Sequence, residues 1–259
     1  MPLRVSPIPT LEPVVRLQRV TKRFAGGTEA LAGLDLAVAP GQLLALLGPS
    51  GCGKSTALRL MAGLAEPTTG SVERNIPAPH AVGFVFQEPT LMPWATVEDN
   101  VALPLKLLGL PRAEARRRVG ERLKRLGLDG FARAYPRELS GGMKMRVSIA
   151  RALAAQPRLL LLDEPFAALD EITRWRLNDE LLDLWRAENL AIVFVTHSVY
   201  ESAYLATRIA VLSARPGRIV GEIAVDAPAP RGPDYRGSED YLRTCRTVSE
   251  SLAKALGES

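Results

Sequence analysis

The chain lacks the features that mark secreted and membrane-spanning proteins. It has only two cysteines, Cys52 and Cys245, and they lie far apart in the sequence. This usage argues against a disulfide framework and predicts a reduced, cytosolic compartment. No apolar run approaches the roughly 18 residues that span a bilayer, and the N-terminus lacks the apolar core of a signal peptide. We therefore expect any association with a membrane to depend on a partner.

The chain also lacks a strong excess of one charge. A net charge of +5 on 259 residues is too weak to choose among nucleic acid, anionic lipid and an anionic ligand. Apolar residues make up 47% and charged residues 24%, which is typical of a globular protein and not of a disordered one. The length allows one large domain, or one domain with a smaller lobe, around a substantial core.

Two patterns of hydrophobicity predict two kinds of strand. Residues 14–40 alternate apolar and polar side chains, which predicts two or three antiparallel strands with turns at Gly26-Gly27 and Pro40-Gly41. Three runs are apolar throughout, as strands buried on both faces of a parallel sheet are: 43–47, 159–162 and 191–196. Further strands are predicted at 83–87, 209–212 and 218–225.

Helical spacing appears between and after these strands. The predicted helices occupy 56–64, two stretches within 96–130, 171–188 and 239–256. We predict an α/β fold with a P-loop NTPase core and a mostly parallel sheet, an N-terminal antiparallel β subdomain and a helical subdomain. The predicted organisation is a loose lead-in at 1–13, an ATPase domain at 14–225 with its helical subdomain at about 88–155, and a tail with a helix at 226–259.

The motif GPSGCGKST at 48–56 matches the phosphate-binding pattern G-x-x-x-x-G-K-[ST]. Its glycines let backbone N–H groups converge on one anion, and the following helix adds its positive end. Lys54 supplies a charge for the β- and γ-phosphates, and Ser55 an oxygen ligand for Mg²⁺. The alternative is a glycine-rich turn without a ligand, but the strand before and the helix after favour a nucleotide site. The predicted nucleotide-binding residues are Gly48, Pro49, Ser50, Gly51, Cys52, Gly53, Lys54, Ser55 and Thr56.

Two carboxylates, Asp163 and Glu164, end the apolar run at 159–162. Adjacent acids are costly there unless a cation or a hydrogen-bond network receives them. Asp163 is therefore a candidate partner of Mg²⁺, and Glu164 a candidate base that orients and deprotonates an attacking water. The alternative is that both carboxylates cap the following turn, and the phosphate-binding motif upstream disfavours it.

The sequence LSGGMKMR at 139–146 forms a second potential anion site. Ser140, Gly141 and Gly142 would begin a helix whose N-terminus can hold a γ-phosphate. A plain N-cap with a glycine turn explains the serine but not the whole ordered set.

This segment resembles the LSGGQ signature of ATP-binding cassette proteins. The resemblance implies ATP and Mg²⁺ as ligands, and two cassettes packed head to tail, each signature meeting the nucleotide of the other copy. Met143 stands where the family usually has glutamine, and we expect activity to survive.

The resemblance implies roles for four more residues. Phe24 resembles the aromatic that stacks on adenine, or is a core phenylalanine of a strand. Gln87 resembles the glutamine that contacts Mg²⁺ and the attacking water, or caps a loop. Asp170 lies in a stretch similar to the loop that faces the opposite subunit, and can also cap the next helix. His197 resembles the histidine that touches the γ-phosphate, or is structural.

The segment VLSARPGR at 211–218 resembles part of the importer cassettes for nitrate, sulfonates, taurine and bicarbonate, and is similar to related cassettes for pyrimidine or thiamine precursors. This resemblance implies an ATP-hydrolysing subunit that energises uptake of a small solute through a separate permease, together with a substrate-binding protein. The apolar residues 91–94 are the predicted docking site for the permease, or ordinary core of the helical subdomain. The implied location is peripheral, at the cytoplasmic face of the inner membrane, with no nucleic-acid partner.

Three other functions remain as alternatives. A non-transport cassette ATPase would act on nucleic acid or the ribosome, but such proteins usually carry two cassettes or long coiled-coil insertions. The ATPase subunit of an exporter is disfavoured by the segment at 211–218. A small kinase would have no use for the signature at 139–146. Co-purification with an integral membrane protein would separate all three from the importer.

Overall fold

The computed structural model describes residues 12–227 and 231–256, so most of the predicted lead-in lies outside the described residues. Its strands are β1 (Val15–Arg23), β2 (Glu29–Val38), β3 (Leu43–Leu47), β4 (Thr69–Arg74), β5 (Val82–Val85), β6 (Leu159–Asp163), β7 (Ala191–Thr196), β8 (Arg208–Leu212) and β9 (Ile219–Ala224). Its α-helices are α1 (Lys54–Ala62), α2 (Val97–Leu107), α3 (Arg112–Arg125), α4 (Gly141–Ala154), α5 (Glu171–Glu188), α6 (Val199–Leu205) and α7 (Glu239–Leu256).

The larger sheet has the strand order β5-β6-β7-β3-β8-β9, and every neighbouring pair is parallel except β8 and β9. The mostly parallel sheet predicted from the apolar runs is confirmed. β3, β6 and β7 are buried along their whole length, because helices and the smaller sheet cover both faces. Since these three strands run in parallel, the segments that follow them meet at one edge of the sheet.

The smaller sheet is antiparallel and has the order β2-β1-β4. Two of its strands come from residues 14–40 as predicted, but the third, β4, lies beyond the phosphate-binding motif and was not predicted. Its sequence TGSVER has one apolar residue, Val72, and β4 is mostly exposed. A strand that buries so little surface leaves no alternation to recognise, and only pairing with β1 defines it.

Three predicted boundaries were wrong by two residues: the end of β5 and both ends of α1, which stops at Ala62 and not at residue 64. β5 ends at Val85, so Phe86 and Gln87 lie beyond the strand predicted at 83–87. The pairing of β5 with β6 runs from Val82 with Leu159 to Val85 with Leu162, and the strand ends where this pairing ends. α1 begins at Lys54 and not at residue 56, since the helix starts directly from the phosphate-binding loop. The short helix α6 was not predicted.

Helices α2, α3 and α4 form the helical part of the fold and share one apolar core. Val101 and Leu105 of α2, Val119 and Leu123 of α3, and Met145 of α4 are all buried in the same cluster. The Thr96 hydroxyl oxygen caps α2 by accepting from the Asp99 N–H at 3.2 Å. The periodicity predicted for 96–130 therefore reflects packing against α4 as well as local preference.

A single buried side chain shapes the loop that precedes α2. Asn100 is fully buried, and its carbonyl oxygen accepts from the Met92 N–H at 2.8 Å. Its amide donates to the carbonyls of Met92, Ala95 and Thr96 at 3.0–3.2 Å. The loop thereby holds Trp94 outward, with 77% of its surface exposed.

The C-terminal helix α7 packs on the ATPase fold. Tyr241 of α7 packs edge-on against Tyr204 and Tyr235, with ring centroids 6.5 and 5.6 Å away. Arg236 lies over the Tyr204 ring at 3.7 Å and forms an ion pair with Asp179 at 2.7 Å. These contacts tie the tail to α5 and α6.

We expect the Asn100→Ala variant to lose about 2 kcal/mol of unfolding free energy, because it removes a buried side chain with hydrogen bonds to three loop residues. Chemical denaturation followed by circular dichroism measures the change. Leu107→Ala is the matched control on the same helix, since Leu107 is 79% exposed, and we expect a change within about 0.5 kcal/mol. Equal stabilities of the Asn100→Ala variant and the parent would contradict the role given to Asn100.

Candidate active site

The phosphate-binding loop connects the end of β3 to the start of α1. Gly53 caps α1 with φ of 102°, a conformation that favours glycine, and a Cβ there would lie 2.6 Å from the Ala30 carbonyl oxygen. A Cβ on Gly48 would lie 2.9 Å from the carbonyl oxygen of Leu212 in β8. The backbone thus approaches its neighbours too closely for a side chain at either position.

Lys54 folds back over this loop. Its ammonium group donates to the carbonyls of Gly48 at 2.7 Å and Pro49 at 2.9 Å, and the side chain is 5% exposed. Cys52 is buried beneath it, and burial raises the pKa of its thiol. The lysine ammonium therefore lies against the loop that the motif predicts to bind phosphate.

Ser55 and Asp163 lie together, although 108 residues separate them. The Ser55 hydroxyl donates to Asp163 Oδ1 at 2.8 Å. Burial raises the pKa of the Asp163 carboxyl, and the hydrogen bond from Ser55 only partly opposes this rise. A buried carboxylate in this state is stabilised by a cation, so the pair fits the predicted metal site.

Glu164 turns away from Asp163 because its backbone leaves the strand. Its φ is 46°, a left-handed conformation that is uncommon for glutamate. Its N–H donates to the Val195 carbonyl at 3.2 Å, and its Oε2 lies 3.5 Å from Nδ1 of His197. The ends of β6 and β7 thus bring together two of the three predicted catalytic side chains.

A cavity of about 390 Å³ lies over the phosphate-binding loop. Phe24 forms one wall, is 46% exposed and lies outside β1, so it is not the core phenylalanine considered above. The predicted residues that line the cavity are Phe24, Gly51, Gly53, Lys54, Ser55, Thr56 and Glu164. Thr28, Ala30 and Arg215 also line it and were not predicted.

The remaining predicted residues do not line this cavity. Gln87 is exposed beyond the end of β5. Ser140, Gly141 and Gly142 begin α4, where the Ser140 hydroxyl oxygen accepts from the Met143 N–H at 3.3 Å. Asp170 caps α5 by accepting from the Thr173 N–H at 2.9 Å, a bond that lowers the pKa of its carboxyl. The capping role that we considered for Asp170 is therefore observed.

Sequence reasoning missed Glu201, a buried carboxyl behind the catalytic groups. The Thr196 hydroxyl donates to its Oε2 at 2.5 Å, and the Glu201 N–H donates to the Ser198 hydroxyl oxygen at 3.2 Å. These bonds secure the turn that carries His197. Burial raises the pKa of Glu201, while the Thr196 bond and the charges of Arg174 and His197 oppose the rise. Only the unpredicted helix α6 carries Glu201 to this place.

The fold and the cavity define a P-loop nucleotide-binding ATPase. The family model for ABC transporters matches residues 31–167. The aliphatic sulfonates import ATP-binding protein SsuB of Bacillus subtilis is 47% identical over 234 residues, which cover 88% of this chain and 91% of that protein. The chain therefore belongs to the ABC transporter family, as one of its ATP-hydrolysing subunits.

Two further comparisons agree. SsuB of Bacillus licheniformis is 49% identical over 217 residues, covering 81% of this chain and 84% of that protein. The dimeric structure of an ATP-binding cassette in a post-hydrolysis state, bound to ADP and Pi, is 33% identical and covers 83% of this chain and 100% of that one, with a TM-score of 0.72. The predicted family, fold class and ATPase activity are confirmed. An importer ATPase is the function these relatives support, and neither relative supports action on nucleic acid or the ribosome.

We expect the Glu201→Gln variant to be more stable than the parent by about 1 kcal/mol at pH 8. The raised pKa means that the folded protein retains a proton that the unfolded chain releases. The parent therefore loses stability as pH rises above about 4, the ordinary pKa of glutamate, while glutamine does not titrate. Unfolding free energies measured between about pH 4 and 8 test this.

The matched control is Glu250→Gln, at an exposed position of α7. We expect it to follow the parent within about 0.5 kcal/mol at every pH. If the stability difference between the Glu201→Gln variant and the parent stayed constant with pH, the raised pKa of Glu201 would be contradicted.

Proposed function

We propose that the chain is the ATPase subunit of an importer for a small solute, with aliphatic sulfonates as the first candidates. The observation that carries the proposal is the cavity lined by Lys54, Ser55 and Glu164, with Asp163 bonded to Ser55. The sulfonate assignment rests on the SsuB proteins that this chain resembles at 47–49% identity. Nitrate, taurine and pyrimidine precursors are the other candidates from the sequence.

Glu164 is the proposed base for ATP hydrolysis. It lines the cavity, and its partly buried carboxylate lies beside His197. The carboxylate orients water and accepts its proton, and His197 contacts the γ-phosphate. Gln87 would join this group after a movement of its loop, since its side chain is exposed. Phe24 stacks on adenine, and Lys54 binds the β- and γ-phosphates.

Mg²⁺ fits the donor set of this site. Ser55 and Asp163 supply a hydroxyl and a carboxylate oxygen, and burial raises the pKa of the Asp163 carboxyl. Mg²⁺ usually takes one or two protein carboxylates plus phosphates and water. When bound, the ion neutralises charge on the phosphates.

Two copies of the chain form the proposed working unit. The signature residues Ser140 and Gly141 are exposed at the start of α4 and do not line the cavity. A helix N-terminus attracts phosphate, so this end is available to a nucleotide held by a second copy. The related cassette bound to ADP and Pi is a dimer. ATP favours the closed dimer by contacting both copies, and hydrolysis removes this link.

The permease would dock on the loop before α2. Trp94 projects there from a loop that Asn100 holds in shape, and an exposed tryptophan on a rigid base suits a partner's short helix. No α-helix in the described part of the chain is long and apolar enough to cross a bilayer. We therefore propose peripheral attachment through the permease at the cytoplasmic face of the inner membrane, with a binding protein delivering the solute.

We expect the Glu164→Gln variant to bind ATP like the parent, to hydrolyse it at least about 100-fold more slowly, and to accumulate as an ATP-bound dimer. Loss of the base removes catalysis but leaves the phosphate contacts in place. Single-turnover phosphate release, nucleotide titration and size-exclusion chromatography measure the three effects.

Lys54→Ala is the companion variant. It should weaken ATP binding by more than about tenfold, because it removes a charge-assisted contact. Hydrolysis by the Glu164→Gln variant at the parental rate would refute the role of Glu164, and unchanged ATP affinity without Lys54 would refute that of the lysine.

The transport function is tested by purifying the chain with membrane proteins encoded beside its gene and measuring ATPase activity in lipid. We expect an aliphatic sulfonate with its binding protein to raise the rate. Trp94→Ala should abolish this stimulation but leave the ATPase rate of the isolated chain unchanged. Leu64→Ala, which removes another exposed apolar residue, is the control. ATPase activity without any membrane partner or stimulation would move the function to a non-transport role.

A further inference from the structure

The loop that joins β8 to β9, residues 213–218, packs on the phosphate-binding loop. The Gly217 N–H donates to the Ala30 carbonyl at 2.9 Å. A Cβ on Gly217 would lie 2.1 Å from the Cys52 carbonyl oxygen, so the two loops touch through their backbones. The Ser213 hydroxyl stabilises the turn by donating to the carbonyls of Ala214 and Pro216, both at 3.0 Å. The loop is therefore a fixed support and not a loose connection.

Arg215 extends from this support to the rim of the nucleotide cavity. Its Nε–H donates to the Gly51 carbonyl at 3.0 Å, and its side chain lines the cavity. A guanidinium has five N–H donors, and this bond uses one. Within the described ranges, Arg215 has no carboxylate within ion-pair distance. The group is positioned at its Nε while its two terminal nitrogens remain available to a ligand.

We propose that Arg215 is a nucleotide-binding residue that contacts the β- or γ-phosphate of bound ATP. The bond to Gly51 fixes Arg215 at the phosphate-binding loop, and Arg215 lines the same cavity as Lys54 and Ser55, so its guanidinium lies near the phosphates that the loop would hold. A planar guanidinium can donate two parallel hydrogen bonds to one phosphate. The proposal rests on the ATP-binding function of the cavity given above and adds a contact from outside the phosphate-binding motif.

The charge of the cavity supports this assignment. Among the lining residues, Lys54 and Glu164 carry opposite charges, so Arg215 makes the lining net positive. A net positive cavity attracts a polyanion such as ATP. Support of the loop alone would not require an arginine, because Gly217 already holds the loop against Ala30 of β2 and against the backbone of Cys52, while Ser213 stabilises the turn itself.

The test compares Arg215→Ala, Arg215→Lys and Arg218→Ala in the full chain by calorimetric titration with ATP, ADP and AMP. Arg218 is exposed in the same loop and does not line the cavity, so it controls for a general loss of positive charge. We expect Arg215→Ala to weaken ATP and ADP binding by about tenfold and AMP binding by less. Arg215→Lys should be intermediate, because it retains the charge but not the planar donor pair. The melting temperature without nucleotide should not change.

Parental affinities in the Arg215→Ala variant would overturn the proposal. Equal weakening of all three nucleotides would also overturn it, since the contact would then involve the α-phosphate, the ribose or the base, which AMP shares with ATP, and not the β- or γ-phosphate. A third result would also contradict the proposal: Arg215→Ala lowers the melting temperature without nucleotide, and Arg215→Lys restores both that temperature and the full ATP affinity. Arg215 would then only support the loop. Failure of the parent itself to bind ATP is a different result, because it contradicts the proposed function and removes the basis of this inference.

Discussion

The site depends on the close backbone contact between the phosphate-binding loop and the strands on either side of it. Gly53 lies against the carbonyl of Ala30 at the start of β2, and Gly48 against the carbonyl of Leu212 at the end of β8. Neither position has room for a Cβ, so the loop can curl only where glycine allows it. This contact joins the antiparallel sheet to the parallel one and places Phe24 and Arg215 on the rim of the cavity.

The arrangement of the groups around the cavity lowers the stability of the protein when no ligand is bound. Asp163 is buried with a raised pKa, and Glu164 adopts a left-handed backbone conformation. Strain and desolvation of this kind persist at functional sites because the surrounding structure enforces them. A cation and a nucleotide bound only by the folded state would offset that cost and stabilise the fold. The signature at Ser140 lies outside the cavity, and we therefore propose that the nucleotide site is completed by the signature of a second copy.

The sequence predicted the fold class and the parts of the site that short motifs specify. Long apolar strands such as β6 and β7 are recognisable because burial on both faces leaves no polar positions. β4 was missed because an edge strand that buries little surface has no such pattern. Gln87 was placed on a strand that ends at Val85, since the end of β5 depends on a partner more than 70 residues away.

By itself, the sequence determined the chemistry: a loop for phosphate, a pair of carboxylates and a helix start with the features of a second phosphate site. These are local patterns, and local backbone geometry follows from residues adjacent in the chain. Only the tertiary structure decided which groups share a cavity, because Ser55 meets Asp163, and Arg215 meets Gly51, through strand order and not through spacing. Burial decided the rest, since desolvation of Asp163 and Glu201 depends on every element packed around them.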